Sequence, residues 1–267
     1  MVEEVDLVVI GSGQGGVPLA VSFARSGKHV VLFERGRVGG TCVNVGCTPS
    51  KAFLAAAHNA GRARLAAPLG IAADVHVDQR AVLARVRVVR DEWHDGSEKK
   101  IADSGIDIVR ATASFTGVRT VAGGAREVRA PIVVIDTGAR AYVPPIEGLA
   151  GSPYLTNVSW FEQETLPPRI VVIGGGYIGV ELGQGAQRLG SAVTIVHSAS
   201  RLMNREEPDA VAVLTRSLFG DGVELELDTN PTSVRFENGV FAVALANGTT
   251  LEAEGLLVAT GRIPNTE

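Results

Sequence analysis

The sequence predicts an α/β fold in which two β-α-β motifs follow one another along 267 residues. In each motif an apolar run leads into a glycine-rich turn, and a helix-like stretch then leads into a second apolar run. The two turns, Gly11–Gly16 and Gly174–Gly179, begin 163 residues apart. One such turn is weak evidence, but two copies in the same context predict two tandem Rossmann-like, dinucleotide-binding domains.

In the first motif, Asp6–Ile10 and Val30–Phe33 predict strands, and Val17–Arg25 predicts the helix between them. The second strand ends at Glu34, 23 residues after Gly11, which is the spacing of the acid that accepts hydrogen bonds from ribose. Glycines permit the tight turn, the approach of a pyrophosphate and close packing of helix on strand, while the helix N-terminus supplies amide donors. The glycines predicted to bind the dinucleotide here are Gly11, Gly13, Gly15 and Gly16.

In the second motif, Arg169–Ile173 and Val193–Val196 predict strands, and the corresponding glycines are Gly174, Gly176 and Gly179. At the position of the acid this motif carries His197, followed by Ser198 and, three residues later, by Arg201. Folds that prefer NAD usually have an acid at this position, whereas these three side chains can donate to a phosphate. The sequence therefore favours NADPH, and leaves NADH open.

The only two cysteines of the chain, Cys42 and Cys47, are separated by four residues within the segment Gly39–Lys51. As a structural crosslink the pair is poor, because so small a loop gives about 2 kcal/mol against ~4.7 kcal/mol for a hundred-residue loop. A close pair flanked by glycine and proline indicates redox chemistry instead. We interpret it as a disulfide that opens and closes.

The segment Gly39–Lys51, with the sequence GGTCVNVGCTPSK, resembles the active-site signature of the class I pyridine nucleotide-disulfide oxidoreductases. That family includes glutathione reductase, dihydrolipoamide dehydrogenase and mercuric reductase, and the resemblance covers essentially the whole chain. It implies that the first motif binds FAD and the second binds the nicotinamide cofactor. It also implies an oxidoreductase that passes electrons from NAD(P)H through FAD and a Cys42–Cys47 disulfide to a small-molecule disulfide or a related thiol or metal substrate.

The same resemblance assigns roles to the predicted catalytic residues. Cys47 would lie beside the flavin ring, and Cys42 would exchange with the substrate. Lys51, one turn after Cys47 on the same helix, would pair with Glu181 near the reactive nitrogen of the flavin. Tyr177 would cover the flavin until the nicotinamide enters. Taken alone, each charged residue is more often a surface charge on a helix.

Two further stretches, Asp136–Gly138 and Ala259–Arg262, resemble the ATG motif that closes each nucleotide domain in the family, with Asp136 in place of the usual alanine. The resemblance adds to the predicted cofactor-binding residues Gly40, Thr41, Lys51, Thr137, Gly138, Gly261 and Arg262. Five prolines between residues 141 and 168 predict a linker. The predicted domains are therefore an FAD-binding domain over residues 1–150 and an NAD(P)-binding domain over residues 151–267.

Between the motifs, Gln79–Ser104 predicts a long helix with an apolar stripe formed by Val82, Leu83, Val86, Val89 and Trp93. Its opposite, arginine-rich face is expected to be solvated; the arginines are Arg80, Arg85, Arg87 and Arg90. From Ile106 to Ile135, short β-like runs resemble the antiparallel excursion that the family inserts into its FAD domain.

Family members continue past the stretch at which this sequence stops. They return to the FAD domain with a Gly-Asp motif and then form an interface domain, which makes a homodimer and supplies a His-Pro base to the thiols. We therefore expect an incomplete FAD domain, no interface domain, and loss of the ~10²–10⁴-fold that general acid–base catalysis contributes. Two alternatives stay open: an enzyme, or part of one, completed by another segment, and a nucleotide-binding fragment with at most diaphorase activity.

Composition limits the partners, the location and the metal sites that can be expected for this chain. The chain has 25 basic and 29 acidic residues, a net charge of −4 that gives no reason to expect nucleic acid or a charged membrane as a partner. No apolar run approaches the ~20 residues of a membrane span, and the N-terminus lacks the basic flank of a signal peptide, so we expect a cytoplasmic protein. The five histidines are far apart in the sequence and none has a ligand-like partner, so they predict no metal site.

Overall fold

The computed structural model describes residues 2–267. The helices are α1 (Gly16–Arg25), α2 (Gly40–Asn44), α3 (Cys47–Arg64), α4 (Gln79–Ala102), α5 (Tyr177–Arg188) and α6 (Pro208–Gly220), with short 3₁₀ turns at Ala67–Leu69 and Trp160–Glu162. The strands are β1 (Glu3–Glu4), β2 (Leu7–Ile10), β3 (Val30–Phe33), β4 (Asp107–Val109), β5 (Ser114–Gly117), β6 (Thr120–Gly123), β7 (Arg126–Arg129), β8 (Ile132–Ile135), β9 (Ala139–Ala141), β10 (Arg169–Ile173), β11 (Ala192–Val196), β12 (Glu224–Glu226), β13 (Pro231–Glu237), β14 (Val240–Leu245), β15 (Thr250–Ala253), β16 (Gly255–Val258) and β17 (Arg262–Pro264). None of the helices in the described part of the chain combines the length and the hydropathy that a membrane span requires.

The chain divides into two compact units. The first unit holds the residues up to Pro49 together with Val88–Arg140 and Pro264–Glu267. The second unit holds Ser50–Arg87 and Ala141–Ile263. The division of the chain into FAD and NAD(P) domains at residue 150 stays a prediction, because this partition follows packing and says nothing about which cofactor each unit binds.

The first unit is built on a parallel sheet with the strand order β4-β3-β2-β8. In β2, Leu7 and Val9 belong to a core cluster that includes residues of α1, while Val8 and Ile10 belong to the cluster on the opposite face. Burial on both faces explains why the parallel strands appear in the sequence as continuous apolar runs. The edge strand β8 leaves Ile135 62% exposed.

A second sheet of the first unit has the order β1-β7-β6-β5, in which β1 runs parallel to β7 and the other neighbours are antiparallel. It contains β5, β6 and β7, the middle part of the antiparallel excursion that the sequence predicts between Ile106 and Ile135. The prediction is wrong at the two ends of that stretch, because β4 and β8 pair in the parallel sheet instead.

A cluster of charged side chains lies in the first unit where the chain enters β1, β3 and β4. Ligand-type atoms of Glu3, His29 and Asp107 lie within 4.8 Å of one another. Arg126 donates to both oxygens of Glu3, at 2.8 and 2.9 Å, and to Asp107 at 3.2 Å. Hydrogen bonds from His29 and then from Arg126 hold the pKa of Asp107 below its usual value. The prediction that no histidine has a ligand-like neighbour is therefore wrong for His29, although the guanidinium already offsets the carboxylates and makes the cluster an ion-pair network.

The second unit contains a parallel sheet, β12-β11-β10-β16, and an antiparallel sheet, β13-β14-β15. One core cluster contains residues of both sheets, among them Val171 and Ile173 of β10 and Phe241 and Val243 of β14. The strand predicted at Arg169–Ile173 is confirmed at the same bounds, and the strand predicted at Val193 begins one residue earlier.

The segment from residue 141 to residue 168, which the prolines predict as a linker, is instead packed into the second unit. Leu149, Trp160 and Phe161 are buried, and the amide of Leu155 donates to Leu256 O at 2.7 Å. The ring of Phe53 meets those of Trp160 and Phe161 edge-on, with centroids 6.1 and 6.2 Å away. The linker prediction is wrong because the prolines interrupt secondary structure without preventing burial of the aromatic residues between them.

Helix α4 has the predicted extent to within two residues at its end. Its apolar stripe is buried at Leu83 and Val86, but Trp93 is exposed. Arg90, predicted to be solvated, is only 7% exposed, and its Nε donates to Asp91 Oδ1 at 3.1 Å. The prediction is wrong at this position because a neighbouring carboxylate allows the guanidinium to be buried.

Candidate functional site

The first glycine-rich turn lies between β2 and α1, where the sequence predicts it. Gly11 has φ +102°, and a Cβ at this position would lie 2.1 Å from Asp136 O. A larger residue is therefore excluded both by the backbone conformation and by the backbone of Asp136, which follows β8. The turn delivers the chain into α1, which begins at Gly16.

Glu34 follows β3, at the position predicted for the ribose-binding acid. Its Oε2 accepts hydrogen bonds from the backbone amide of Ser12, at 3.0 Å, and from the Ser12 hydroxyl. Its Oε1 accepts the amide of Gly36 at 2.7 Å. The acid is thus fixed beside the turn, and its contact with ribose stays a prediction. Ser12, which is buried, has a positioning role that sequence reasoning missed because it occupies a variable position of the fingerprint.

The segment before the cysteines packs directly against this turn. The amide of Gly39 donates to Ser12 O at 3.1 Å, and a Cβ at Gly40 would lie 2.8 Å from Gly13 Cα. Gly40 and Thr41 therefore begin α2, and Gly40 lies beside the dinucleotide turn. Their contact with a cofactor stays a prediction.

Asn44 holds the same segment in place. Its Nδ2 donates to Val38 O at 2.9 Å and to Gly40 O at 3.0 Å. Its Oδ1 is buried and has no hydrogen-bond partner among residues 2–267. Asn44 lies inside the cysteine motif, but neither composition nor periodicity indicates its role.

The two cysteines lie on successive helices that are joined by a tight turn. Cys42 is in α2 and half-buried, whereas Cys47 is the first residue of α3 and exposed. A Cβ at Gly46 would lie 2.9 Å from Thr41 O and 3.4 Å from Cys42 Cα. Glycine at this position therefore lets the chain fold back onto α2. The turn also places Cys47 at the positive end of the α3 dipole.

The first closure motif is held by residues near the end of the sequence. Thr137 Oγ1 donates to Asn265 O at 2.6 Å, and Asn265 Nδ2 donates to Thr137 O at 2.9 Å. The backbone amide of Asn265 donates to Gly138 O at 3.0 Å. Thr137 and Gly138 are thus held by Asn265, a partner that sequence reasoning missed, and their contact with a cofactor stays a prediction.

The second glycine-rich turn lies between β10 and α5. Gly174 approaches the second closure motif, because a Cβ there would lie 2.3 Å from Ala259 O. Gly176 faces open space, with no heavy atom within 4 Å of its ideal Cβ, and Gly179 lies in the first turns of α5. Later in the closure motif, Gly261 O accepts the amide of Tyr142 at 2.9 Å, and Arg262 begins β17.

His197 follows β11 at the position that corresponds to Glu34. Its Nδ1 accepts the amide of Gly175 at 3.2 Å, so the ring proton lies on Nε2. Nε2 is buried without a partner among the described residues. Burial lowers the pKa of His197, which favours the neutral ring and leaves Nε2 as a hydrogen-bond donor. The adjacent Ser198 is exposed.

A loop that follows His197 contacts the second turn at Gly175. Arg201 donates to Asn204 O at 2.8 Å and to Glu206 O at 2.9 Å, and the amide of Met203 donates to Gly175 O at 2.8 Å. These two hydrogen bonds from the Arg201 guanidinium stabilise the loop to which it belongs. Its predicted contact with a phosphate depends on the guanidinium N–H groups that these bonds leave unused.

Three predicted catalytic side chains lie in the second unit. Tyr177, at the start of α5, is 59% exposed, and its hydroxyl donates to Glu206, which raises the pKa of Tyr177. Lys51 of α3 and Glu181 of α5 are exposed. Within residues 2–267 no ion pair joins Lys51 to Glu181, so the pairing implied by resemblance stays a prediction.

The sequence is similar to a known protein family and to characterised proteins. The sequence matches the family described as "Pyridine nucleotide-disulphide oxidoreductase" over residues 5–267. It is 38% identical over 274 aligned residues to the mercuric reductase of Acidithiobacillus ferrooxidans, with 99% of this chain and 50% of that protein covered. It is 39% identical to the mercuric reductase of Shigella flexneri, with 97% of this chain and 48% of that protein covered. The chain thus spans about half the length of these relatives.

A solved structure has the same fold. The HOCl-induced flavoprotein disulfide reductase RclA of Escherichia coli matches with a TM-score of 0.87 and 29% sequence identity. The match covers 98% of this chain and 57% of that chain. The predicted fold class, tandem Rossmann-like α/β domains, is confirmed by this likeness.

Proposed function

Since the chain belongs to the pyridine nucleotide-disulphide oxidoreductase family, we propose that it binds FAD at the first glycine-rich turn and NAD(P)H at the second. We further propose that Cys42 and Cys47 form the disulfide through which electrons leave. The observation that carries this proposal is the turn at Gly46, which brings the start of α3 back to α2 while Gly40 packs on the FAD turn.

The residues of the first unit fit FAD. Glu34 is held at the end of β3 as an acceptor, and exposed Gln14 and Gly15 leave the N-terminal side of α1 accessible. The buried Oδ1 of Asn44 lacks a partner among residues 2–267, which agrees with a ligand group at this segment. When bound, FAD supplies a two-electron carrier between the nicotinamide and the cysteine pair.

The cysteines perform the remaining chemistry in our proposal. Two electrons and two protons convert the Cys42–Cys47 disulfide into two thiols. The thiolate of Cys42 then attacks a substrate disulfide and releases one substrate thiol, and Cys47 displaces the second by restoring the intrachain disulfide. The net reaction oxidises one NAD(P)H and reduces one substrate disulfide to two thiols.

The substrate class is a small molecule that carries a disulfide or a thiol-bound metal ion. The relatives named mercuric reductase support Hg(II), and the structural neighbour named disulfide reductase supports a disulfide. We propose that three further residues act at the flavin: Lys51, Glu181 and Tyr177. We propose a homodimer for the longer form that the relatives represent.

Protection of Cys47 from alkylation tests the FAD site without requiring turnover. Cys47 is exposed, so iodoacetamide is expected to modify it readily in the isolated chain once the cysteine pair has been reduced to thiols. FAD at ten times its Kd should slow this modification about tenfold, because only about one-eleventh of the protein then remains unbound. Peptide mass spectrometry measures the rate at each cysteine.

The matched control is Glu34→Ala, which should lose most of the protection because the ribose acceptor is absent. NADPH in place of FAD should leave the Cys47 rate unchanged. An unchanged alkylation rate in the presence of bound FAD would place the flavin away from the cysteines and contradict the proposal.

We propose NADPH as the preferred donor because the second unit carries His197, whose buried Nε2 donor has no partner among the described residues, where an acid would select NADH. Isothermal titration should give NADPH a Kd about tenfold below that of NADH, a difference of about 1.4 kcal/mol. His197→Glu should reverse the order, because the carboxylate repels a 2′-phosphate and accepts from ribose. Tighter binding of NADH by the unmodified chain would rule out this preference.

A further inference from the structure

A carboxylate of the chain itself occupies the inside of the first glycine-rich turn. Asp136 follows β8, and its Oδ2 accepts the amide of Gly16, the first residue of α1, at 2.8 Å. The N-cap residue of α1, Gly15, makes no side-chain capping hydrogen bond. Asp136 therefore caps this helix from 120 residues away in the sequence.

The glycines of the turn surround this carboxylate. An ideal Cβ at Gly13 or at Gly16 would lie 2.8 Å from Asp136 Oδ2, and one at Gly15 would lie 3.6 Å from Oδ1. The negative charge thus lies against the same turn whose backbone is suited to a dinucleotide pyrophosphate.

The second turn provides an internal comparison. The amide of Asp136 donates to Ile10 O, and that of Ala259 donates to Ile173 O, both at 2.8 Å. An ideal Cβ at the first glycine of each turn meets the carbonyl oxygen of the same residue, at 2.1 Å for Asp136 and 2.3 Å for Ala259. The two positions are structurally equivalent, so one turn has a carboxylate where the other has a methyl group.

Anions are stabilised at helix N-termini by the free amides and the dipole. In the first turn the chain supplies an anion of its own, which uses one of those amides and repels a second negative group nearby. We propose that Asp136 is an internal anion that weakens dinucleotide binding at the first turn relative to the second. This inference rests on the proposed binding of FAD at the first turn.

Replacing Asp136 with asparagine separates the effect of the charge from that of the hydrogen bond. Asp136→Asn keeps an oxygen that accepts the Gly16 amide and removes the negative charge. Its Kd for FAD, measured by quenching of flavin fluorescence at low ionic strength, should be about tenfold lower than that of the unmodified chain. The ratio should shrink as salt is raised toward 1 M, where the Debye length is ~3 Å; a purely structural role would not produce this salt dependence.

The second turn permits the converse change. Ala259→Asp should raise the Kd for NADPH about tenfold at low salt and leave the Kd for FAD unchanged. Ala259→Asn is the uncharged control of similar size and should have a smaller effect. This pair leaves the first turn intact, so it tests the charge effect even if a change at Asp136 prevents folding.

The outcomes separate the two proposals. Equal or weaker FAD binding by Asp136→Asn, with FAD bound by the unmodified chain, overturns the inference and leaves the proposed function standing. FAD binding by neither the unmodified chain nor any variant overturns the proposed function and the inference together. If the unmodified chain does not bind FAD and Asp136→Asn does, the inference is supported, because the charge of Asp136 then prevents binding altogether.

Discussion

Replacing Cys47 with serine is expected to reduce NADPH-dependent reduction of disulfides and of Hg(II) to the rate without enzyme. Cys47 lies at the start of α3, and Gly46 brings this position back to α2 and Cys42. A serine hydroxyl cannot form the intrachain disulfide, so electrons cannot leave through the pair. The measurement is NADPH oxidation with oxidised glutathione or Hg(II), in parallel with FAD content.

Cys42→Ser is the matched variant and should have the same effect on turnover. Both variants should keep FAD binding and NADPH-dependent reduction of ferricyanide, since that acceptor takes electrons without a thiol. Full disulfide turnover in Cys47→Ser would contradict the relay. A different outcome is that the unmodified chain reduces ferricyanide but no disulfide. That result would favour the other alternative left open by the sequence, a nucleotide-binding fragment with only diaphorase activity.

Replacing Gly179 with alanine is expected to destabilise the second unit by about 3 kcal/mol and to abolish binding of the nicotinamide cofactor. A Cβ at this position would lie 1.9 Å from Gly174 O and 3.2 Å from Val172 Cγ1. The contact is with backbone, so α5 must move away from β10, and overpacking of this kind costs about 1–3 kcal/mol. Urea unfolding and NADPH titration measure the two effects.

Gly176 provides the control within the same turn. Its ideal Cβ meets no heavy atom within 4 Å, so Gly176→Ala should change the free energy of unfolding by less than about 1 kcal/mol. The added methyl group faces the open side of the turn and should weaken NADPH binding through the ligand alone. If Gly179→Ala and Gly176→Ala have the same free energy of unfolding, the requirement for glycine at position 179 does not come from the close packing of α5 on Gly174.

Much of the fold could be predicted from local signals. The strands Val30–Phe33 and Arg169–Ile173 have the predicted bounds, because parallel strands buried on both faces are continuous apolar runs bounded by glycine. The single helix on which the sequence places Cys47 and Lys51 is present as α3, and Pro49 is compatible with its first turn.

Contacts between distant segments could not be predicted. The burial of Arg90, the partners of His29 and the packing of Trp160 each depend on side chains that the fold brings together. Asp136 was identified as a departure from alanine, but its contact with Gly16 requires the register of β8 against β2. Whether Lys51 pairs with Glu181 depends on a bound cofactor and stays a prediction.

The pairing of Thr137 with Asn265 has a consequence for the order of folding. These hydrogen bonds join residues 128 positions apart, and a ribosome adds residues one at a time, at about 5–20 per second. The closure motif of the first unit therefore gains its last partners only after the strands of the second unit have been made. Folding of the first unit is therefore expected to include a late step, roughly 6–26 seconds after synthesis of β8 at this rate. Such non-local contacts also make folding slow for a unit of this size.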